Sequence, residues 1–386
     1  MSDLHRSAML NRMPHLPTVS PYADDEEEGE GNEEEEQEEN DSLGSLPSIS
    51  KPPGTKTRHV PNPQFAPISA AGYFSQAAEV AVPASGLSFR VYYTPPALAS
   101  GASQRDGTVM VCHHGAGYSG LSFALFAKEI QERTRGECGV MALDARRHGM
   151  CIQPHPNSKD DSDLSIEVLA EDAYNLFATL FPNPAEAPTF VLVGHSLGGS
   201  VLVRASARLF SAKYRLTGVA VLEVVEGFTL DALPHMHTLL DTRPDGFDSL
   251  EEAIEWHLTN HTIRNQLSAR ISIPSLFVPN DSNTGPKFVW RTPLRSTAPY
   301  WESWFRGLSS SFLSVRAARL LILAGTERLD KELMIGQMQG KFQLVVVPDT
   351  GHMIHEDKPD RLAEILVEFW KRNEKVVVGV KKVGEL

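Results

Sequence analysis

The sequence predicts an α/β fold, a mostly parallel β-sheet covered by helices on both faces. Apolar runs of strand length recur along the chain, and longer patterns of helical period lie between several of them. One strand-like run, TFVLV, leads straight into Gly194-His195-Ser196-Leu197-Gly198 and then into a helical pattern. Strands that alternate with helices imply parallel pairing, because a parallel connection needs a crossover long enough to hold a helix.

Taken in order, the runs EVAV, LSFRVYY, TVMVCHHG, GVMALDA, TFVLVGHS, LTGVAVLE, RLLILAG and FQLVVVP read as strands. The stretches LSFALFAKEIQERT, LSIEVLAEDAYNLFATLF, GGSVLVRASARLF and DRLAEILVEFWKR read as helices. The alternation breaks once, over about 228–315, between two core strands. That interval begins with helix formers (SLEEAIEWHL) and continues into Pro and aromatics (PKFVWRTPLRSTAPYWESWF). An insertion of this size in such a sheet reads as a lid over the site. Two regions are expected: a disordered acidic tail over 1–58, and one folded domain over 59–386 that carries the insertion, with order beginning near Phe65.

The net charge of −13 belongs to that tail. Asp24–Asp41 holds 13 of the 49 acidic residues and no Lys or Arg, so the rest of the chain has as many acids as its 36 Lys and Arg. Such a block repels itself and buries nothing. Nothing in the folded part reads as nucleic-acid binding. No run is long and apolar enough for a transmembrane helix, and the first residues lack the apolar core of a signal peptide. A cytoplasmic or nuclear protein is expected, not a secreted one. Cys112, Cys138 and Cys151 lack metal spacing and read as free thiols.

The chemistry-bearing residues fall at strand ends. G-x-S-x-G between a strand and a helix makes Ser196 a nucleophile on a tight turn. A serine needs a base, and FQLVVVPDTGHMIHEDKPD supplies His352 just after the last core strand, with His355 as its competitor. The stretch CHHGAGYSG offers the Ala116 N–H, which with the Leu197 N–H would form an oxyanion hole. An acid must orient the histidine. VAVLEVVEG places Glu223 at one strand end, with Glu226 in the turn beyond. RLLILAG leads to Glu327 or Asp330 at another strand end, and spacing alone leaves the two ends equal. Asp144-Ala-Arg-Arg-His148 reads as a structural turn rather than a metal cluster. The set calls for no metal and no cofactor.

Taken together, GHSLGGS, VVEGFTLDAL, SLEEAIEWHL, IRNQLSAR, YWESWFRGLSSSFLS, LLILAGTERLDKELMIGQMQGKFQ and GHMIHEDKPD resemble the protein phosphatase methylesterase 1 family of the α/β-hydrolase superfamily. WFRGLS and IGQMQGKFQ are far more discriminating than the serine motif. The resemblance implies an α/β-hydrolase fold. It also implies an esterase that removes the methyl ester from the C-terminal leucine of the protein phosphatase 2A catalytic subunit and binds that phosphatase as a partner. It places the nucleophile on Ser196, the base on His352 and the acid on Glu223, with Asp330 in reserve. The family usually shows aspartate where this chain has Glu223, so an extra methylene must be absorbed there. Trp290, Tyr300, Trp301, Trp304, Phe305 and Arg306 are candidates for contacts to substrate or partner, with packing inside the lid as the alternative. Two other readings remain: a carboxylesterase for small soluble esters, and a hydrolase-fold protein that holds the phosphatase inactive without cleaving it.

Overall fold

A computed structural model of the chain describes residues 61–98, 101, 103–152, 161–282, 284–325 and 329–374. The acidic tract, the expected tail and Glu327 lie outside them. Each of the eight apolar runs forms a strand of one sheet. In chain order these are β1 (Gln76–Val82), β2 (Leu87–Thr94), β3 (Thr108–His113), β4 (Cys138–Leu143), β5 (Thr189–His195) and β6 (Leu216–Leu222). After the insertion, which carries the short strands β7 (Gly246–Phe247), β8 (Phe277–Pro279) and β9 (Phe288–Trp290), come β10 (Ala318–Leu323) and β11 (Gln343–Val346). The spatial order is β1-β2-β4-β3-β5-β6-β10-β11. β2 runs antiparallel to both β1 and β4, and every pair from β4 to β11 is parallel.

Side chains of the central strands alternate between two apolar cores, as a sheet covered on both faces requires. Val109 and Val111, Phe190 and Leu192, Val219 and Val221, and Leu321 and Leu323 belong to one core. Met110 and Cys112, Val191 and Val193, Ala220 and Leu222, and Leu320 and Ile322 belong to the other. Helices Ile166–Leu180 and Leu197–Ser211 close the first core, while Ala124–Thr134 and Pro359–Glu374 close the second. These four are the helical patterns read from sequence; burial of one face explains the period of three of them, while the first two turns of Leu197–Ser211 are buried all round.

Between β6 and β10 lie helices Glu226–Asp241, Leu250–Thr259, Gln266–Ser272, Trp301–Phe305 and Leu308–Leu313. SLEEAIEWHL becomes Leu250–Thr259 because Ser249 accepts the Glu252 N–H at 3.2 Å and the Glu252 carboxylate accepts the Asp248 N–H at 2.9 Å. This reciprocal pair satisfies two amide groups at the start of the helix. The strands β7, β9 and β8 form a separate antiparallel sheet, which the sequence reading missed because each has only two or three residues. They build a core of their own around Phe247, Ile254, Ile263 and Phe277.

Candidate active site

Parallel pairing brings the C-terminal ends of the central strands level with one another. His113 pairs with Gly194, His195 with Leu222, Leu222 with Ile322, and Leu323 with Val346. Loops leaving this edge therefore meet above it, where ligands gather in open α/β sheets.

Ser196 leaves β5 with φ 50° and ψ −119°. A residue with a Cβ pays about 1–3 kcal/mol to sit there, and such strain gathers at functional sites. The reversal works because the residues two before and two after Ser196 have no side chains. A Cβ on Gly194 would lie 2.4 Å from the Gly198 carbonyl oxygen, and one on Gly198 would lie 2.2 Å from that of His113. The turn is fixed by the Ser196 N–H, which donates to the Leu222 carbonyl at 2.9 Å, and by the Gly199 N–H, which donates to the Ser196 carbonyl at 2.9 Å. Helix Leu197–Ser211 starts immediately, so the Leu197 N–H has no acceptor within its own helix.

The second expected donor lies on a turn after β3. The Gly115 carbonyl accepts the Tyr118 N–H at 3.2 Å and lies 2.7 Å from His114 Nδ1. His114 Nε2 accepts the Ala145 N–H at 3.0 Å, which fixes the tautomer with the proton on Nδ1. His114 therefore donates to Gly115 and sets the plane of the Gly115–Ala116 peptide. In a trans peptide the Ala116 N–H then points opposite to that carbonyl. Sequence reasoning quoted His114 without giving it this role.

His352 follows β11 and is half-buried. Its backbone carbonyl accepts from His195 Nε2 at 2.8 Å, and the two rings are 4.7 Å apart. His195 thus fastens the loop that bears His352 to the Ser196 turn. Burial lowers the His352 pKa to about 4, so the ring is neutral and able to take a proton near pH 7. The competitor His355 is fully buried, stacked on Phe123 at 4.3 Å, with its pKa pushed down to about 3 by burial.

Glu223 follows β6 directly, with φ 54°. Its N–H donates to the Ile322 carbonyl at 2.8 Å, and its carboxylate accepts the Ala324 N–H at 2.5 Å. Asp330 has a different occupation. It caps helix Lys331–Met338 by accepting the Leu333 N–H at 2.9 Å, and its other oxygen accepts the Ser309 hydroxyl at 2.5 Å. Glu226 accepts the N–H groups of Gly307 and Ser309 at 2.7 and 2.9 Å, so it is bound to the insertion. Asp144 accepts the N–H groups of Gly120 and Met150, each at 2.7 Å, and Arg146 pairs with buried Asp172 at 2.7 Å. These three contacts tie the turn after β4 to itself, to the loop at Gly120 and to helix Ile166–Leu180. Among the described residues no group of three or more His, Cys, Asp or Glu is placed to hold a metal ion.

Residues 110–365 match the Alpha/beta hydrolase family. A protein named protein phosphatase methylesterase 1 from Cryptococcus neoformans var. neoformans serotype D is 44% identical over 410 residues, covering 100% of this chain and 96% of that one. The chain belongs to the protein phosphatase methylesterase 1 family. A methylesterase of the same name from Gibberella zeae is 49% identical over 288 residues, covering 72% of this chain and 70% of its own. Among solved structures, E-2-(acetamidomethylene)succinate hydrolase aligns with a TM-score of 0.60 at 17% identity, over 77% of this chain and 99% of that one. A peroxisomal α/β-hydrolase of Saccharomyces cerevisiae aligns at 0.56 and 14%, over 78% and 85%. At such identities these two speak for the α/β-hydrolase fold, which the strand order also shows.

Within this methylesterase fold the aromatic candidates divide. Trp301, Trp304 and Phe305 are buried in the first core. The Trp301 indole donates to Thr297 at 2.8 Å and the Trp304 indole to the Leu164 carbonyl at 2.6 Å. These three rings pack the insertion onto the body of the protein and leave little surface for a partner. Trp290 is partly buried, donates to the Pro244 carbonyl at 2.7 Å and carries the Arg243 guanidinium 3.6 Å above its ring. Tyr300 is partly buried and Arg306 is exposed and paired with Glu302. Among the described residues no helix is long and apolar enough to cross a membrane.

Proposed function

We propose that this carboxylic ester hydrolase removes the methyl ester from the C-terminal leucine of the protein phosphatase 2A catalytic subunit, through an acyl-enzyme on Ser196. The observation that carries the reading is the strained Ser196 turn, fastened through His195 to the loop that bears His352. In this reading His352 takes the Ser196 proton as the hydroxyl oxygen attacks the ester carbonyl. The N–H groups of Leu197 and Ala116 hold the oxyanion, and losing one such donor typically costs about 10²–10³ in rate. Methanol leaves with the proton from His352. Water then attacks the acyl-enzyme with the same base, giving a free carboxylate.

Glu223 is the acid favoured by its place on the strand beside the nucleophile, because both oxygens of Asp330 serve a helix cap and the insertion. The methyl group itself offers only about 1–3 kcal/mol of discrimination, so recognition falls on the acyl side and on protein–protein contacts. Residues 228–315 act as the lid, with Trp290, Tyr300 and Arg306 the aromatic and basic candidates that keep accessible surface. This substrate carries with it a cytoplasmic or nuclear location. The test is incubation with methylated phosphatase catalytic subunit, read by mass spectrometry of its C-terminal peptide, with wild type beside Ser196→Ala. Loss of 14 Da per chain, about one methylene, with wild type alone supports the reading. An ester that survives wild-type enzyme ends it.

A further inference from the structure

Asp357 is buried five residues beyond His352, at the end of the short helix Ile354–Asp357. Its carboxylate accepts two backbone N–H groups, one six residues away and the other 93 residues away. Oδ2 accepts from Gly351, the residue immediately before His352, at 2.7 Å. Oδ1 accepts from Arg264, in the insertion, at 2.7 Å. Gly351 fits closely against this group, for a Cβ there would lie 3.2 Å from Oδ2. On the other side of the base, His195 holds the His352 carbonyl. The chain is therefore tied to the insertion just before His352 and to the nucleophile turn just after its Cα.

We propose that Asp357 is a positioning residue for the base. It sets where the His352 ring stands relative to Ser196 and couples that placement to the insertion through the Arg264 amide. This rests on the reading of His352 as the base. The neighbouring acid strengthens the same joint: Glu356 accepts the Ser272 hydroxyl at 2.9 Å and the Ser268 hydroxyl at 3.3 Å, both on helix Gln266–Ser272 of the insertion. Two consecutive acidic residues thus bind the base segment to helix Gln266–Ser272 of the insertion and to the loop just before it. A displacement of residues 261–264 reaches Gly351 through the Asp357 carboxylate. An asparagine could not replace Asp357, because it has one acceptor oxygen and would set its NH₂ against the second N–H donor.

The test uses the full chain, with p-nitrophenyl acetate as a substrate that needs no protein partner. Wild type, Asp357→Asn and His352→Ala are compared by kcat, KM and thermal unfolding, and by hydrogen exchange over 261–264 and 349–353. Asp357→Asn is expected to lower kcat by about 10–100-fold, the size expected of an ångström-scale misplacement, with KM changed less than about twofold. It is also expected to speed exchange in both segments together. Faster exchange with wild-type kcat would make Asp357 structural only and overturn the proposal. Rapid exchange at the Gly351 or Arg264 amide in the wild type would overturn it too, even if the variant fails to fold. Full activity in His352→Ala would instead remove the reading of the base on which the proposal stands.

Discussion

Ser196 and Glu223 stand one residue beyond the ends of adjacent parallel strands, and both are held at positive φ, 50° and 54°. The Ser196 N–H donates to the carbonyl of Leu222, the residue before Glu223, at 2.9 Å. One hydrogen bond thus links two strained turns, one bearing the proposed nucleophile and the other the proposed acid. Neither residue is a glycine, so each turn stores strain that the surrounding sheet must hold.

The strain gives a prediction that separates stability from activity. Ser196→Ala and Ser196→Gly both lack the proposed nucleophile and are expected to lose at least about 10³ of ester cleavage. Glycine relaxes at positive φ whereas alanine keeps its Cβ, so Ser196→Gly is expected to be more stable than Ser196→Ala by about 1 kcal/mol. Parallel thermal melts of the two variants check this, and equal midpoints would show that the turn is not strained.

The two candidate acids should fail differently. Glu223→Gln keeps the shape and removes the charge that stabilises the histidine cation, so kcat is expected to fall by about 10³–10⁴ with little change in melting temperature. Asp330→Ala removes a helix cap and is expected to cost about 0.5–2 kcal/mol of stability while keeping most of kcat. Steady-state kinetics with denaturant melts on both variants decide it. The reverse pattern would move the acid to Asp330.

Burial depresses the His352 pKa to about 4, from an ordinary value of 6.5. With His352 as the proposed base the neutral ring is the active form, so kcat/KM should rise with pH through that lower value and be flat well before pH 6.5. The profile of a soluble ester substrate is expected to be near its plateau at pH 5.5. A midpoint at or above 6.5 would mean that a carboxylate outweighs burial at the ring.

Glu356 supplies a stability signature with the same origin, burial, and the opposite direction of shift. It is fully buried, and burial raises its pKa from 4.5 to about 8. Between those values the folded chain holds a proton that the unfolded chain has lost, so stability falls as pH rises through the window. Glu356→Gln is expected to remove this contribution and to gain on the order of 2 kcal/mol over wild type at pH 8, with little gain near pH 4.5. Melts at both values measure it. A variant less stable than wild type at pH 8 would show that the carboxylate is ionised and satisfied in the fold.

Several features were legible because their causes are local. The eight strands follow from apolar runs, and the Ser196 turn from glycines that must flank a sharp reversal, since a Cβ at either site would enter neighbouring backbone. The aromatic run of the insertion was less legible. Trp301, Trp304 and Trp290 look alike in sequence, yet the first two fill the main core and the third stays partly exposed. Aromatic rings serve a core and a binding face equally well, so composition cannot sort them.

By itself the sequence determined the sheet, the serine turn, the glycine loop after β3 and the histidine after β11, because period and steric fit act over a few neighbouring residues. Tertiary structure alone decided how the other polar groups are employed. It gave Asp330 to a helix cap, His114 to the Gly115 carbonyl, His195 to the His352 carbonyl, and Asp357 to amides on both sides of a joint. The physical reason is that a buried polar group must find a partner, and the fold alone brings that partner within reach.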